Sequence, residues 1–124
     1  MPTGSNRLST FSPETYWMVR EGEIKRKLLL LHTAIDQCER ARTALLAVSE
    51  TAKLNSEEWD TAQATAMSAL RKARGHKTGL RRMVGLARDT IRIRPAYARA
   101  IGEGTKTILD TASRLCEYLD ASGY

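Results

Sequence analysis

The chain is short of the residues that staple, break or stack. It holds two cysteines, three prolines, one phenylalanine and two tryptophans in 124 residues. Cys38 and Cys116 lie far apart, and neither has a second Cys or a His at ligand spacing, so no zinc site is expected. Each sits in a helical pattern and reads as a small buried thiol of a reducing compartment. Prolines occur only at positions 2, 13 and 95, which leaves the intervening chain free to form long helices. Alanine and leucine dominate the apolar set while Phe11 stands alone, a balance that favours helix over sheet. The longest aliphatic run is Leu28–Leu31, far below the roughly 18–20 residues of a membrane span. The first residues, MPTGSNRLSTFS, contain no apolar core of a secretory signal. A cytoplasmic or nuclear protein with no membrane span is the expectation.

Catalytic chemistry is equally thin. His32 and His76 are the only histidines, and no nucleophile–His–acid spacing can be read from the chain. His76-Lys77-Thr78 imitates the end of a phosphate loop, but His replaces the glycine before the lysine and no strand precedes it. Gly102-Glu103-Gly104-Thr105-Lys106 has the glycines without the spacing. No enzyme, cofactor or metal is expected.

What the chain has in quantity is positive charge in one place. The net charge is +6. Between Arg71 and Arg99 ten bases face one acid, Asp89, whereas the segments on either side carry more acids than bases. The ten are Arg71, Lys72, Arg74, Lys77, Arg81, Arg82, Arg88, Arg92, Arg94 and Arg99. Only Arg92 has an acid, Asp89, placed to pair with it along a helix. Eight of the ten are arginine, whose planar fork suits bidentate contact with phosphate.

The apolar period is helical throughout. Residues 1–12 read as a flexible polar arm. Ser12-Pro13-Glu14 then supplies an N-cap, a proline at the first helical position and an acid in the first turn. Ile24, Leu28, Leu31, Ile35, Cys38, Ala41, Leu45, Val48 and Ala52 follow steps of three and four, which predicts a helix about 30 residues and 45 Å long. Gly22 is expected to divide it from a short first helix. Leu29 and Leu30 fall off the stripe, so the turn Leu28–Leu31 is apolar nearly all round and suggests a dimer seam. A break at Lys53–Ser56, with Asn55 or Ser56 as cap, starts an antiparallel helix whose face is Trp59, Ala62, Ala66, Ala69 or Leu70, and Ala73. Gly75 and Gly79 mark a tight loop or a weakened helix, after which Leu80, Met83 or Val84, Ala87 and Ile91 predict a helix over 79–92. Pro95 ends it, and a final helix from Thr105 carries Ile108, Ala112, Leu115 and Leu119. The expected fold is an all-α antiparallel bundle built on a long helical hairpin. It has four to five helices, one domain over 13–121, a tail at 122–124, and a homodimeric state.

If the basic stretch is near-continuously helical, Arg71, Arg74, Arg81, Arg88 and Arg92 form a stripe of some 30 Å opposite the apolar positions. Lys77, Arg82, Arg94 and Arg99 flank it. Such a track matches the phosphates of duplex RNA or DNA, which it would bind regardless of base sequence. Tyr97 is the only aromatic in the stretch, so stacking of unpaired bases is poorly served. The plan of a helical hairpin with one basic face is similar to the helical double-stranded-RNA-binding suppressors of RNA silencing of some insect viruses. That similarity implies a dimer laid along a duplex. Two other readings stand beside it. One is a matrix-like or phage structural adaptor, with the basic face on acidic lipid or an acidic partner. The other is a helix-turn-helix regulator over 66–92 with its turn at Gly75 or Gly79.

Overall fold

In a computed structural model, residues 12–51 and 56–124 are described. All of the expected arm over 1–12 except Ser12, and Ala52, Lys53 and the cap alternative Asn55, lie outside these residues. Among them the chain forms four helices and no strand: α1 (Pro13–Thr51), α2 (Glu57–Ile93), α3 (Pro95–Ala100) and α4 (Glu103–Ala121). The all-α bundle on a long helical hairpin is what the periodicity predicts. Four helices fall within the expected four to five, and α1 and α2 are longer than expected.

Helix α1 runs unbroken through Gly22 for 39 residues, about 58 Å. The glycine costs the helix about 1 kcal/mol relative to Ala. It is flanked by Trp17 and Ile24, each almost wholly buried, and their packing holds the backbone through that weak point. Ser12 caps the helix, accepting from the Thr15 N–H at 3.1 Å. Ser56 does the same for α2, accepting from the Trp59 N–H at 3.2 Å. Proline at 95 stops α2, whose last turn closes with the Arg94 N–H on the Thr90 carbonyl, and starts α3 at its first position.

The core lies where α1, α2, α3 and α4 meet. Ile24, Leu31, Leu80, Val84, Ala87, Leu109, Ala112, Cys116 and Leu119 form it, with Tyr16, Trp17 and Tyr97 at one end. Leu31, Leu80 and Ala112 have no exposed surface. The Trp17 Nε1–H donates to the Tyr97 carbonyl at 2.7 Å, and the Tyr16 and Tyr97 rings meet edge to face at 4.9 Å, so α3 is pinned to the start of α1. A second cluster, Ala34, Cys38 and Ala73, continues the hairpin seam, where small side chains let the helix axes approach.

Of the expected α1 stripe, Ile24, Leu31, Cys38 and Ala41 are buried, and Leu28, Ile35, Leu45 and Val48 are half-buried. Ala34 joins them. The Leu28–Leu31 turn splits: Leu31 is fully inside, while Leu29 is 67% and Leu30 43% exposed. In α4 the buried edge is Thr105, Leu109, Ala112, Cys116 and Leu119, so Leu109 and Cys116 take the places expected for Ile108 and Leu115, which are half-buried. Both cysteines are free and buried, and burial raises both thiol pKa values. None of the described helices is long and apolar enough to cross a membrane.

Candidate nucleic-acid interface

The decisive local fact is that α2 does not break at its glycines. It continues from Glu57 through Gly75, Gly79 and Gly85 to Ile93. Of the two alternatives for 74–79, the weakened helix holds and the tight loop does not, and the turn that a helix-turn-helix reading of 66–92 requires is absent. Lys27 of α1 crosses α2 at Gly79, where a Cβ would come within 2.8 Å of its Cε and would displace only the end of that flexible side chain. The Lys27 Nζ lies 3.1 Å from the His76 Nδ1. Burial, and then this ammonium, lower the His76 pKa. The cation beside His76 thus comes from α1 and not from the basic stretch itself. The backbone at Gly75 and Gly85 is helical and uncrowded, and nothing in the structure explains the choice of glycine there.

The basic residues divide between two flanks of α2. Along the flank that meets α4, Arg74 donates to the Gly123 carbonyl at 3.1 Å, and Lys77 donates to Asp120 at 2.6 Å and to the Tyr124 carbonyl. Arg81 pairs with the other oxygen of Asp120, and Arg88 stands 3.8 Å from Asp110. Lys77 is largely withdrawn from solvent, its side chain 12% exposed, so it works as a clamp on α4. Arg74, Arg81 and Arg88 remain exposed beside their partners. The hydrogen bond from Lys77, with Arg81 close by, holds the Asp120 carboxyl below its ordinary pKa. Arg92 pairs with Asp89 at 3.2 Å, as expected.

The arginine stripe was expected opposite the core, but it runs along the core's edge. Val84, and not Met83, turns fully inward, and α4 packs against the flank beside it. Between α2 and α4 lies a groove of about 250 Å³ bordered by Arg81, Gly85, Arg88, Ser113 and Glu117.

On the outer flank, Arg71, Lys72 and Arg82 are exposed and have no acidic partner among the described residues. Arg99 on α3 is likewise exposed without one. Arg94, at the α2–α3 junction, stacks its guanidinium on the Tyr97 ring at 4.1 Å. The sequence-predicted set therefore consists of a clamped group on α4's side (Arg74, Lys77, Arg81, Arg88), a free outer group (Arg71, Arg82), and Arg92, Arg94 and Arg99 near the junction.

The acids of α4 are what sequence reading missed, and their signal was present. Asp110, Glu117 and Asp120, with Ser113 between, recur at steps of seven and three, which places them on one face of α4. That spacing complements the one on α2. Among the described residues no group of three His, Cys, Asp or Glu side chains could hold a metal ion. No protein-family model matches the chain, and no curated protein or solved structure shows significant similarity to it.

Proposed function

We propose that the protein is a non-enzymatic binder of duplex nucleic acid, RNA or DNA, that recognises the phosphate backbone and reads little of the base sequence. One observation carries the reading. From Arg71 to Arg92 the arginines ride on a single unbroken helix, and all of them are exposed. Twenty-one residues of helix cover about 32 Å, a length over which a duplex offers a run of phosphates. Arg71, Lys72 and Arg82 make the first contacts, since they surrender no internal partner. Arg81 and Arg88 exchange their carboxylates, and Arg74 the Gly123 carbonyl, for phosphates. In this reading the binder acts as a homodimer and resembles in plan the viral suppressors that shield duplex RNA.

A second reading is favoured by Leu86 and Ile93, which stand 58% and 64% exposed on the same helix as Arg82. Apolar side chains among cations suit the surface of an acidic membrane, and an adaptor on acidic lipid would use them. The two readings separate when affinity is measured for matched duplex RNA, duplex DNA, single strands and anionic vesicles, each at two salt concentrations. The proposal expects duplexes to bind most tightly, with a steep salt dependence and little difference between unrelated sequences. Vesicle binding without duplex binding would replace it with the adaptor.

A further inference from the structure

Helix α4 fills the groove between α1 and α2 on one face of the hairpin, but over only part of its length. The end of α4 is fixed from both sides: the Tyr124 hydroxyl donates to Glu39 of α1, and Arg74 of α2 donates to the Gly123 carbonyl. Leu46 lies seven residues beyond Glu39 and Met67 seven before Arg74, so both continue the same two flanks by two turns towards the tip. There the groove goes on empty. Leu46 and Met67 stand 58% and 56% exposed on its walls. Leu45, Ala66 and Leu70 line its floor, which opens at Tyr124 into a cavity of about 240 Å³.

Charge identifies the occupant. Along this groove the tip is acidic, with Glu50 and Asp60, whereas the hairpin where α4 ends is basic, with Arg42 and Arg71. None of these has an ion-pair partner among the described residues. We propose that a second copy of this chain fills the groove. The tips of the two hairpins pack face to face and antiparallel about a two-fold axis, making a four-helix bundle where each chain alone has two helices.

The register follows from the hairpin. Cys38 packs with Ala73, and Leu45 lies across the groove from Ala66, so Leu46 is level with Thr65. A two-fold axis at that level sets Leu46 against its own copy, Glu50 beside Arg42 of the other chain, and Asp60 beside the other chain's Arg71. A dyad parallel to the helices would instead stack acid on acid at the tips, where like charges repel. The antiparallel arrangement also turns the outer flank of α2 in both copies, with Arg71 and Arg82, to one side of the assembly. The dimer itself does not depend on what that side binds.

The full-length protein tests this by sedimentation and by crosslinking. The expected mass is that of a dimer. Leu46→Cys, at the axis, should give a disulfide-linked dimer on mild oxidation, while Leu29→Cys on the far side of α1 should not. Asp60→Arg should weaken self-association at least tenfold, and adding Arg71→Asp to it should restore most of the loss, because the swap rebuilds both ion pairs. A monomer at all accessible concentrations would overturn the proposal. So would crosslinking through position 29 in preference to 46, or a charge swap that rescues nothing in a variant still helical by circular dichroism.

Discussion

The half of the hairpin that α4 covers and the half that it leaves bare are built from the same two helices and differ in nearly everything else. In the covered half the inward residues are large and closed off: Trp17, Ile24, Leu31 and Leu80 are each no more than 2% exposed. In the bare half Leu45, Val48, Trp59, Ala62 and Ala66 are all half-buried. The charges follow the same division. Where α4 lies, its aspartates meet the cations of α2, and where it ends both acids and bases are left without partners. A third helix therefore supplies two things at once, an apolar lid and a set of counter-charges. The tip has the apolar floor and the unpaired charge of a structure awaiting both.

Mutations at matched positions should expose this contrast. Leu31→Ala, in the covered half, is expected to cost about 2–5 kcal/mol in urea unfolding, since it opens a cavity among residues that have no solvent to collapse against. Leu45→Ala at the tip should cost less, about 1–2 kcal/mol, because part of the side chain is already in water and the site is open. Equal losses at the two sites would erase the distinction. Next in size is Trp17→Phe. It removes one of the two donors to the Tyr97 carbonyl, the Ile101 N–H staying at 3.2 Å, for an expected loss of about 1 kcal/mol and a loosening of α3 visible in amide exchange.

Asp120→Asn probes the counter-charges. It removes the counter-charge of Arg81, although Lys77 keeps its bond to the Tyr124 carbonyl, so duplex affinity should rise and its salt dependence should steepen, while α4 holds less firmly. The pH dependence has a definite sign. Because the folded-state pKa of Asp120 is lowered from 3.8, its contribution to stability is full above that value and is lost as pH falls further, through the folded-state value. Wild type and Asp120→Asn should differ at neutral pH and converge in strong acid. The smallest effect is expected at the exposed end of α4. The bond to Glu39 raises the Tyr124 phenol to about 12, so its contribution is present below pH 10 and fades between there and about 12. Tyr124→Phe should cost about 0.5 kcal/mol or less at pH 7, and the difference from wild type should vanish in strong base.

How much of this was legible beforehand depended on the range of each interaction. Periodicity gave the class of fold and most of the core, because Ile24, Leu31 and Cys38, or Leu80, Val84 and Ala87, announce their shared face within a few turns. The break expected at Gly22 is absent, and of the loop or weakened helix offered at Gly75 and Gly79 the helix holds. A glycine weakens a helix locally, but burial of neighbours on both sides carries the backbone through, and that support comes from residues distant in sequence. The basic track suffered in the same way. Pairing rules along one helix see Asp89 and Arg92, but they cannot see Asp120, which reaches Lys77 and Arg81 only after α4 has docked. The acids had a readable spacing on their own helix. What sequence could not supply was which flank of α2 they would face.

That docking also decides where the central claim is best tested. Reversing Arg74, Arg81 and Arg88 to Glu would set the new carboxylates at positions 81 and 88 against the aspartates of α4 and remove the Arg74 bond to the Gly123 carbonyl, so lost binding could reflect a disturbed fold. Lys72 and Arg82 line neither the groove between α2 and α4 nor the cavity where α4 ends. The most direct measurement is the affinity of Lys72→Gln/Arg82→Gln for two unrelated duplexes across a range of salt concentrations. The account expects weaker binding to both by the same factor, with the slope of log-affinity against log-salt reduced by about 0.9 for each lost phosphate contact. Wild-type affinity and slope in this double variant, with the fold intact, would contradict it.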